Sequence, residues 1–385
     1  MKETNALFAS FGLTVFEVMS QLALKHDAIN LGQGFPDEDG PLAIREAAAK
    51  SLLEGPNQYP SMMGIPALRQ AIAEHDRECY GLDLDWQKEV MVTSGATEAL
   101  QVALFGLIEP GDEVVVMEPA YDCYVPMIKR AGGVPVIVRM EAPDWRLPME
   151  ALEAAFNGNT KAIVLNSPLN PAGRVFSWDE LEALAELCLR HDVYAVCDEV
   201  YEHLTFEGHK HYPLMSLPGM RNHAVRIGSA GKSFSLTGWK VGYICAAAEL
   251  MPVIAKAHQF ATFTTSPALQ AGVVEAMTNR MDFTRDLACS LQGKRDLLAS
   301  GLEGLGFKIL PTEGTYFLTV DISGLYDGRD EEFCHVITRE AGVAAIPVSI
   351  FFDMNGPTHL VRFCFCKREE VLKEALVRLK KWLGR

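Results

Sequence analysis

The chain has 385 residues, a length that suits two domains or one large and one small domain. With 49% hydrophobic and 22% charged residues, its composition is that of a folded globular protein and not of a disordered one. The formal net charge of −15 argues against a general nucleic-acid or anionic-membrane surface. Any bound anion would therefore need a local arrangement of donors.

The first twenty residues predict no secretory signal, because charged side chains interrupt them and no long apolar run follows. No apolar stretch reaches the roughly 18–20 residues that a bilayer span requires. The nine cysteines are scattered without a CxxC or Cys/His ligand spacing, and the closest pair is Cys364 and Cys366. This pattern predicts reduced thiols, no metal site and a cytoplasmic protein.

The first part of the chain predicts helices around one short strand. Apolar residues at helical spacing predict a helix over 15–26, and helices follow over 41–53 and 65–80. Between them, residues 28–36 predict a strand that runs into a glycine-rich turn. The polar turn 57–60 presents one aromatic side chain, Tyr59.

From residue 90, apolar strands alternate with amphipathic helices. Strands are predicted over 90–93, 113–117, 134–138, 162–165, 193–198, 224–227 and 242–246. Helices are predicted over 97–106, 124–130, 149–156 and 178–191. The alternation predicts an α/β fold with a mostly parallel central sheet covered by helices on both faces. Ligands of such a sheet bind at the carboxyl ends of its strands.

The last hundred residues predict shorter units and a smaller α+β domain. A long helix over 283–305 precedes a strand at 316–320, a helix at 331–341, a segment at 343–347, a strand at 359–365 and a helix at 368–383. We therefore expect a large domain over residues 44–280. The small domain would combine residues 1–43 with residues 281–385.

The stretch 227–240 contains two lysines, Lys232 and Lys240, among small and hydroxyl-bearing residues such as Ser229. No acidic residue occurs from 227 to 243, and two nearby cations lower each other's pKa. A lysine that loses its proton easily is a nucleophile toward carbonyl groups. A basic surface loop explains this stretch equally well.

Three further segments follow predicted strands. Residues 93–100 are mostly small or polar and lie at a strand-to-helix junction, where free backbone N–H groups could bind an anion. The alternative is a tight turn in which Ser94 or Thr97 caps the helix. Asn170 lies between prolines, where it either faces a ligand or forms an Asx turn. Asp198 ends an apolar strand with Tyr201 three residues on, and it either meets a ligand or caps the next turn.

Arg362 lies inside the apolar strand at 359–365. A guanidinium in such surroundings needs an anionic partner, and its planar fork suits a carboxylate. That partner is either an acidic side chain of the protein or the carboxylate of a substrate.

These features, in this order, resemble the fold-type I class I/II aminotransferases that depend on pyridoxal 5'-phosphate. The matching motifs extend from the LGQGFP segment at 31–36 to the strand that carries Arg362, nearly the whole chain. The block SAGKSFSLTGWKVG at 229–242 is highly specific for the family. LGQGFP and the NQYP segment at 57–60 resemble the kynurenine/glutamine and methionine aminotransferase branch.

The resemblance implies a role for each matching residue. Lys232 would form a Schiff base with the cofactor and then move protons, Asp198 would pair with the pyridine nitrogen, and Tyr201 and Asn170 would bind the ring hydroxyl. Arg362, Asn170 and the backbone of Gly34 would bind the substrate carboxylate. The remaining cofactor contacts would come from Gly95, Ala96, Thr97, Ser229 and Lys240 at the phosphate, Tyr121 on the ring, and Tyr59 of a neighbouring subunit in a homodimer.

The resemblance implies transfer of an amino group from an amino acid to a 2-oxo acid. Phe16, where the kynurenine branch often has tryptophan, would line the side-chain pocket and favour methionine, glutamine, kynurenine or another apolar or aromatic donor. A C–S β-lyase or a succinyl-diaminopimelate aminotransferase on the same fold is the alternative, because one cofactor supports several reactions. A non-catalytic effector-binding module and a nicotinamide dehydrogenase are disfavoured by the acidic charge and by the missing glycine fingerprint.

Overall fold

The computed structural model describes residues 2–384, so only Met1 and Arg385, the outer limits of the predicted small domain, lie outside the described residues. Thirteen strands occur among the described residues: β1 Ile29–Asn30, β2 Val90–Thr93, β3 Glu113–Glu118, β4 Val134–Arg139, β5 Thr160–Asn166, β6 Tyr194–Asp198, β7 Ala224–Ser229, β8 Gly242–Ala246, β9 Lys308–Ile309, β10 Phe317–Asp321, β11 Val343–Ala344, β12 Ile346–Pro347 and β13 Leu360–Cys364.

The α-helices include every helix that the sequence pattern predicts. They are α1 Ala6–Ala9, α2 Val15–Lys25, α3 Leu42–Glu54, α4 Pro66–Tyr80, α5 Trp86–Glu89, α6 Ala96–Leu107, α7 Tyr124–Ala131, α8 Met149–Ala155, α9 Trp178–His191, α10 Ala230–Ser233, α11 Met251–Ala261, α12 Pro267–Asn279, α13 Asp282–Gly304, α14 Asp330–Val336 and α15 Glu369–Trp382. Short 3₁₀ turns occur at Leu214–Ser216, Met220–Asn222, Thr237–Trp239 and Val348–Phe351, and α14 continues as a π-helix over Ile337–Ala341.

A seven-stranded sheet forms the centre of the molecule, in the order β2-β8-β7-β6-β5-β3-β4. All its strands run parallel except β8, which is antiparallel to both β2 and β7. Its central strands are buried along their length because their apolar side chains face helices on both sides. The predicted α/β fold with a mostly parallel sheet is confirmed.

The C-terminal region builds a second, smaller sheet of four antiparallel strands in the order β12-β13-β10-β9. The N-terminal segment joins this region, because β1 pairs with β11 in parallel. The long helix α13 has 23 residues, which makes it about 34 Å long, and it leads from the central sheet to the smaller one. Among residues 2–384, no helix combines the length and apolar character needed to cross a membrane.

Candidate active site

The carboxyl ends of the parallel strands lie at one edge of the central sheet, and a cavity of about 360 Å³ lies at this edge. Thirteen of the fourteen predicted site residues line this cavity, namely Phe16, Gly34, Gly95, Ala96, Thr97, Tyr121, Asn170, Asp198, Tyr201, Ser229, Lys232, Lys240 and Arg362. The fourteenth, Tyr59, does not. It is 81% exposed, and its ring packs edge-on against Phe263 at 5.5 Å between ring centres.

Lys232 lies on the short helix α10, directly after β7. Its amine donates a hydrogen bond to the hydroxyl of Tyr316 at 2.6 Å, and that hydroxyl donates to the backbone oxygen of Gly34 at 2.6 Å. Burial lowers the pKa of Lys232 to about 8, against the opposing charge of Asp198. The second lysine, Lys240, also lowers this pKa, but burial and not the neighbouring cation is the main cause. The surface-loop alternative is wrong for this lysine.

Asp198 ends the buried strand β6, so its carboxyl group emerges into the cavity floor. The hydroxyl of Tyr124 donates to Oδ2 at 2.6 Å, whereas Oδ1 is buried without a hydrogen-bond partner. Burial raises the pKa of Asp198 to about 6, even though Tyr124, the Val200 backbone and Lys232 all lower it. A buried oxygen with an unused lone pair is costly, and a bound donor would satisfy it.

One end of the cavity is suited to an anion. Helix α6 begins after Gly95, which has a positive φ of 83°, and no side chain caps this helix. The first backbone N–H groups of α6 are therefore free to bind an anion, and the helix dipole also favours negative charge at this end. Neither Ser94 nor Thr97 caps the helix, so that alternative is wrong. Ser94 Oγ instead contacts Thr265 Oγ1 at 3.0 Å.

The side chain of Lys240 reaches the same end of the cavity. A Cβ atom placed on Gly95 would lie 3.2 Å from the Lys240 amine, so only glycine fits against this side chain without a shift. Lys240 itself has a left-handed backbone, with φ of 53°. The fold therefore places the amine of Lys240 beside the free N–H groups of α6, an arrangement that suits a phosphate.

Arg362 lies in the middle of β13 with its guanidinium fully buried. Nη1 donates to Oδ1 of Asn170 at 2.8 Å, and Nη2 donates to the backbone oxygen of Gly32 at 2.8 Å. Its Cζ lies 3.8 Å from the ring centre of Phe317, while Nε is buried without a partner. Within residues 2–384 no carboxylate pairs with Arg362, so the alternative of a structural ion pair is wrong. Asn170 likewise faces Arg362 and does not close an Asx turn.

The sequence matches a known family over most of its length. The profile of the aminotransferase class I and II family matches residues 26–379. The chain belongs to the class I and II aminotransferases. It is therefore an amino-group-transferring enzyme with the fold of that family, as the sequence motifs predicted.

Three relatives of this aminotransferase are similar over nearly their full length. The Escherichia coli protein whose structure identified a methionine aminotransferase function is 38% identical, with a TM-score of 0.96 over 99% of this chain and 100% of that one. N-succinyldiaminopimelate aminotransferase from Mycobacterium tuberculosis is 42% identical, with a TM-score of 0.95 over 99% and 100%. Kynurenine–oxoglutarate transaminase 3 of Rattus norvegicus is 37% identical over 96% of this chain and 88% of that protein.

The structure of this aminotransferase adds three residues that the sequence argument did not select. Tyr316 contacts Lys232, Tyr124 contacts Asp198, and Asn166 joins two loops by donating to the Asp198 backbone oxygen at 2.8 Å and accepting from the Asn170 N–H at 2.9 Å. Asn166 is a polar residue at the end of the apolar strand β5, and this pattern could have identified it as a site residue. No comparable pattern marks Tyr316 and Tyr124, because their partners lie 84 and 74 residues away in the sequence.

Proposed function

We propose that this aminotransferase binds pyridoxal 5'-phosphate in the cavity and transfers an amino group from an apolar, sulfur-containing or aromatic amino acid to a 2-oxo acid. One observation supports this proposal above all: three reactive or charged groups line the same cavity. They are the amine of Lys232, the carboxyl group of Asp198 with one oxygen lacking a hydrogen bond, and the guanidinium of Arg362, which no carboxylate of the described residues pairs with. Its volume lies in the usual range for cofactor sites, about 300–1,000 Å³.

The cavity residues fit this cofactor group by group. The N–H groups at the start of α6, Ser229 and Lys240 would hold the phosphate, and Tyr121 would stack on the ring. Oδ1 of Asp198, which is buried without a partner, would accept a hydrogen bond from the protonated pyridine nitrogen. When bound, the cofactor supplies an aldehyde that attaches to amines and a ring that accepts electrons.

The other residues would then position the substrate and move its protons. Arg362 would bind the substrate carboxylate through its fork, with Asn170 holding the guanidinium in place. Tyr201 and Asn170 would hydrogen-bond the ring hydroxyl. Lys232, whose pKa of about 8 lies close to neutral pH, would take the proton from the substrate Cα and return it to the carbon that carries the cofactor's aldehyde group.

The walls of the cavity favour an uncharged donor side chain. Phe16, Phe35 and Phe317 line it together with Tyr121. Arg362 is the one arginine among the described residues that line the cavity, so no second guanidinium is in place for a distal carboxylate such as that of aspartate. The relatives above act, by their names, on methionine, kynurenine and N-succinyldiaminopimelate. The 42% identity to the last of these keeps it as the second candidate donor.

Absorbance spectroscopy of the purified enzyme tests the proposal. We expect a visible band of the lysine-bound cofactor that disappears with an amino donor and returns with a 2-oxo acid, with methionine, kynurenine, glutamine and N-succinyldiaminopimelate compared at equal concentration. Lys232→Ala should lack both the band and turnover. Release of pyruvate and ammonia without a 2-oxo acid would instead indicate a β-lyase. A protein that binds no cofactor, or an active Lys232→Ala variant, would refute the proposal.

We also propose the domain division and the assembly. The pairing of β1 with β11 supports a small domain made of residues 1–43 and 281–385 around a large domain of residues 44–280. Exposed aromatic side chains support a homodimer, because Tyr59 and Phe260 are 81% and 82% exposed and such surfaces usually meet another protein. In the dimer, Tyr59 would complete the phosphate site of the partner subunit. A cytoplasmic location remains part of this proposal.

A further inference from the structure

A second group of buried polar residues, the histidine cluster, lies beyond the turn that follows β6. It contains His75 on α4 and Glu202 and His203 in the turn, and none of these residues lines the active-site cavity. The side chains of His75 and Glu202 are almost fully buried, whereas 13% of the His203 side chain is exposed. A second cavity reaches Glu202, His203 and Cys79 from the outside. The proposed amino transfer uses none of them.

The two imidazoles have the geometry of metal ligands. His75 Nε2 and His203 Nε2 lie 3.2 Å apart, with the rings nearly perpendicular. Two ligands of a tetrahedral zinc ion, with bonds of about 2.0–2.1 Å, lie about 3.3 Å apart. The other nitrogen of His75, Nδ1, contacts Asp76 Oδ1 at 2.9 Å. A carboxylate that accepts this Nδ1–H leaves the Nε2 lone pair directed at His203, as in carboxylate–histidine–zinc sites.

Two more side chains of the right chemistry border this pair. The possible ligand atoms of His75, His203 and Glu202 all lie within 4.8 Å of one another. Cys79, which has a free thiol and lines the second cavity, follows His75 by four residues on α4, but its sulfur lies outside this group of three. Two imidazoles, a thiol and a carboxylate are the ligand types that zinc prefers over magnesium or calcium.

Buried acidic side chains lie next to the histidine cluster, where they favour a bound cation. Three buried carboxyl groups, those of Asp76, Glu199 and Glu202, surround the single guanidinium of Arg226. Buried carboxylates are costly unless a cation compensates them. In the metal-free protein, one histidine ring donates its hydrogen to the other between the two Nε2 atoms. A divalent ion at that position would replace the hydrogen and add positive charge beside these carboxyl groups.

We propose that the histidine cluster binds one divalent transition-metal ion of the zinc type, with His75 and His203 as its imidazole ligands. Glu202, which also accepts hydrogen bonds from Tyr80 and Tyr243, would supply a carboxylate oxygen, and Cys79 would join from the next turn of α4 by a change of its side-chain rotamer. The second cavity gives the ion access from solvent. The site is separate from the aminotransferase chemistry, and its existence does not depend on the proposed donor or on the cofactor.

Titration of the full-length holoenzyme, first treated with a chelator, tests this inference. Isothermal calorimetry should show one Zn²⁺ per chain, and Co²⁺ should give the visible bands of a tetrahedral site together with a thiolate charge-transfer band. His203→Gln, at the accessible edge, should weaken Zn²⁺ binding at least about 100-fold. Cys79→Ser changes an exposed residue at the C-terminal end of α4, and it should remove the charge-transfer band even if His203→Gln fails to fold.

Matched variants show whether the effect is local. His223→Gln changes another histidine that contacts a carboxylate, Asp192, at 3.0 Å, and it should leave Zn²⁺ affinity unchanged. Cys364→Ser changes a buried thiol whose Sγ lies 3.1 Å from that of Cys366, and it should also leave affinity unchanged. Absence of binding, unaltered binding by a folded His203→Gln variant, or binding lost in Cys364→Ser would overturn the proposal.

Discussion

The buried carboxyl group of Asp198 lowers the stability of the cofactor-free chain. Its pKa rises from 3.8 to about 6 on folding because burial disfavours the charged form. An acid with a raised pKa in the folded state destabilises the fold progressively as the pH rises from about 4 to 6, and the full penalty of about 3 kcal/mol persists above that range.

Asp198→Asn should therefore raise the melting temperature of the cofactor-free protein at pH 8 and leave it nearly unchanged at pH 4. The amide has almost the shape of the carboxyl group and carries no charge, so the penalty disappears where it was present. Amino transfer should fall at least about 100-fold, because a neutral amide cannot stabilise the protonated ring nitrogen. Thermal melts at both pH values, with activity at pH 8, are the measurements. Equal melting shifts at the two pH values would contradict the electrostatic explanation.

Tyr316 should set the pH at which Lys232 becomes reactive. Its hydroxyl accepts a hydrogen bond from the Lys232 amine, and this contact favours the charged form. The rate at which the cofactor-free enzyme takes up pyridoxal phosphate should rise with pH and level off above about 8, where the amine is neutral. Tyr316→Phe should move this profile down by about one pH unit. Stopped-flow absorbance measures it, and Tyr326→Phe, which should not move the profile, is the control.

At the scale of elements, the junction between β2 and α6 should be intolerant of any side chain at Gly95. Gly95→Ala introduces a Cβ into a left-handed conformation and within 3.2 Å of the Lys240 amine. Gly111 has a similar φ of 96° with no neighbour within 4 Å, so Gly111→Ala isolates the backbone cost, about 1 kcal/mol. We expect Gly95→Ala to lose more stability than Gly111→Ala, because of the contact with Lys240, and only Gly95→Ala to weaken pyridoxal phosphate binding, by about tenfold or more. Equilibrium binding to the cofactor-free proteins measures this, and equal affinities would contradict a phosphate role for this junction.

The elements that the sequence predicted well are those whose pattern is local. Strands such as β3 and β5 are continuous apolar runs, and Asp198 was recognisable because it ends another such run, β6. Helices α11 and α12 were not predicted, and the reversed direction of β8 leaves no trace in the composition of the strand. Tyr316 could not be recognised for the same reason: its contact with Gly34 joins residues that are 282 positions apart in the sequence and that only the folded chain brings together.

At the scale of the whole molecule, the proposed homodimer makes a prediction about shared active sites. Tyr59 lies outside the cavity of its own chain and is 81% exposed, although the family resemblance assigns it to a phosphate site. In a dimer with two-fold symmetry, each subunit would donate Tyr59 to the other. Lys232→Ala and Tyr59→Ala would then damage the same active site from different chains.

Hybrid dimers of these two variants distinguish shared from separate sites. A hybrid has one site with both defects and one site that is intact, because the Lys232→Ala chain still donates its Tyr59 to the partner. Hybrids purified through two different affinity tags should therefore recover about half of the wild-type activity, at a limiting cofactor concentration where both parent homodimers are nearly inactive. A hybrid of the wild type with Lys232→Ala should also give half and serves as the reference. If the variant hybrid shows only the mean of its two parents, each chain completes its own site, and Tyr59 does not reach across an interface.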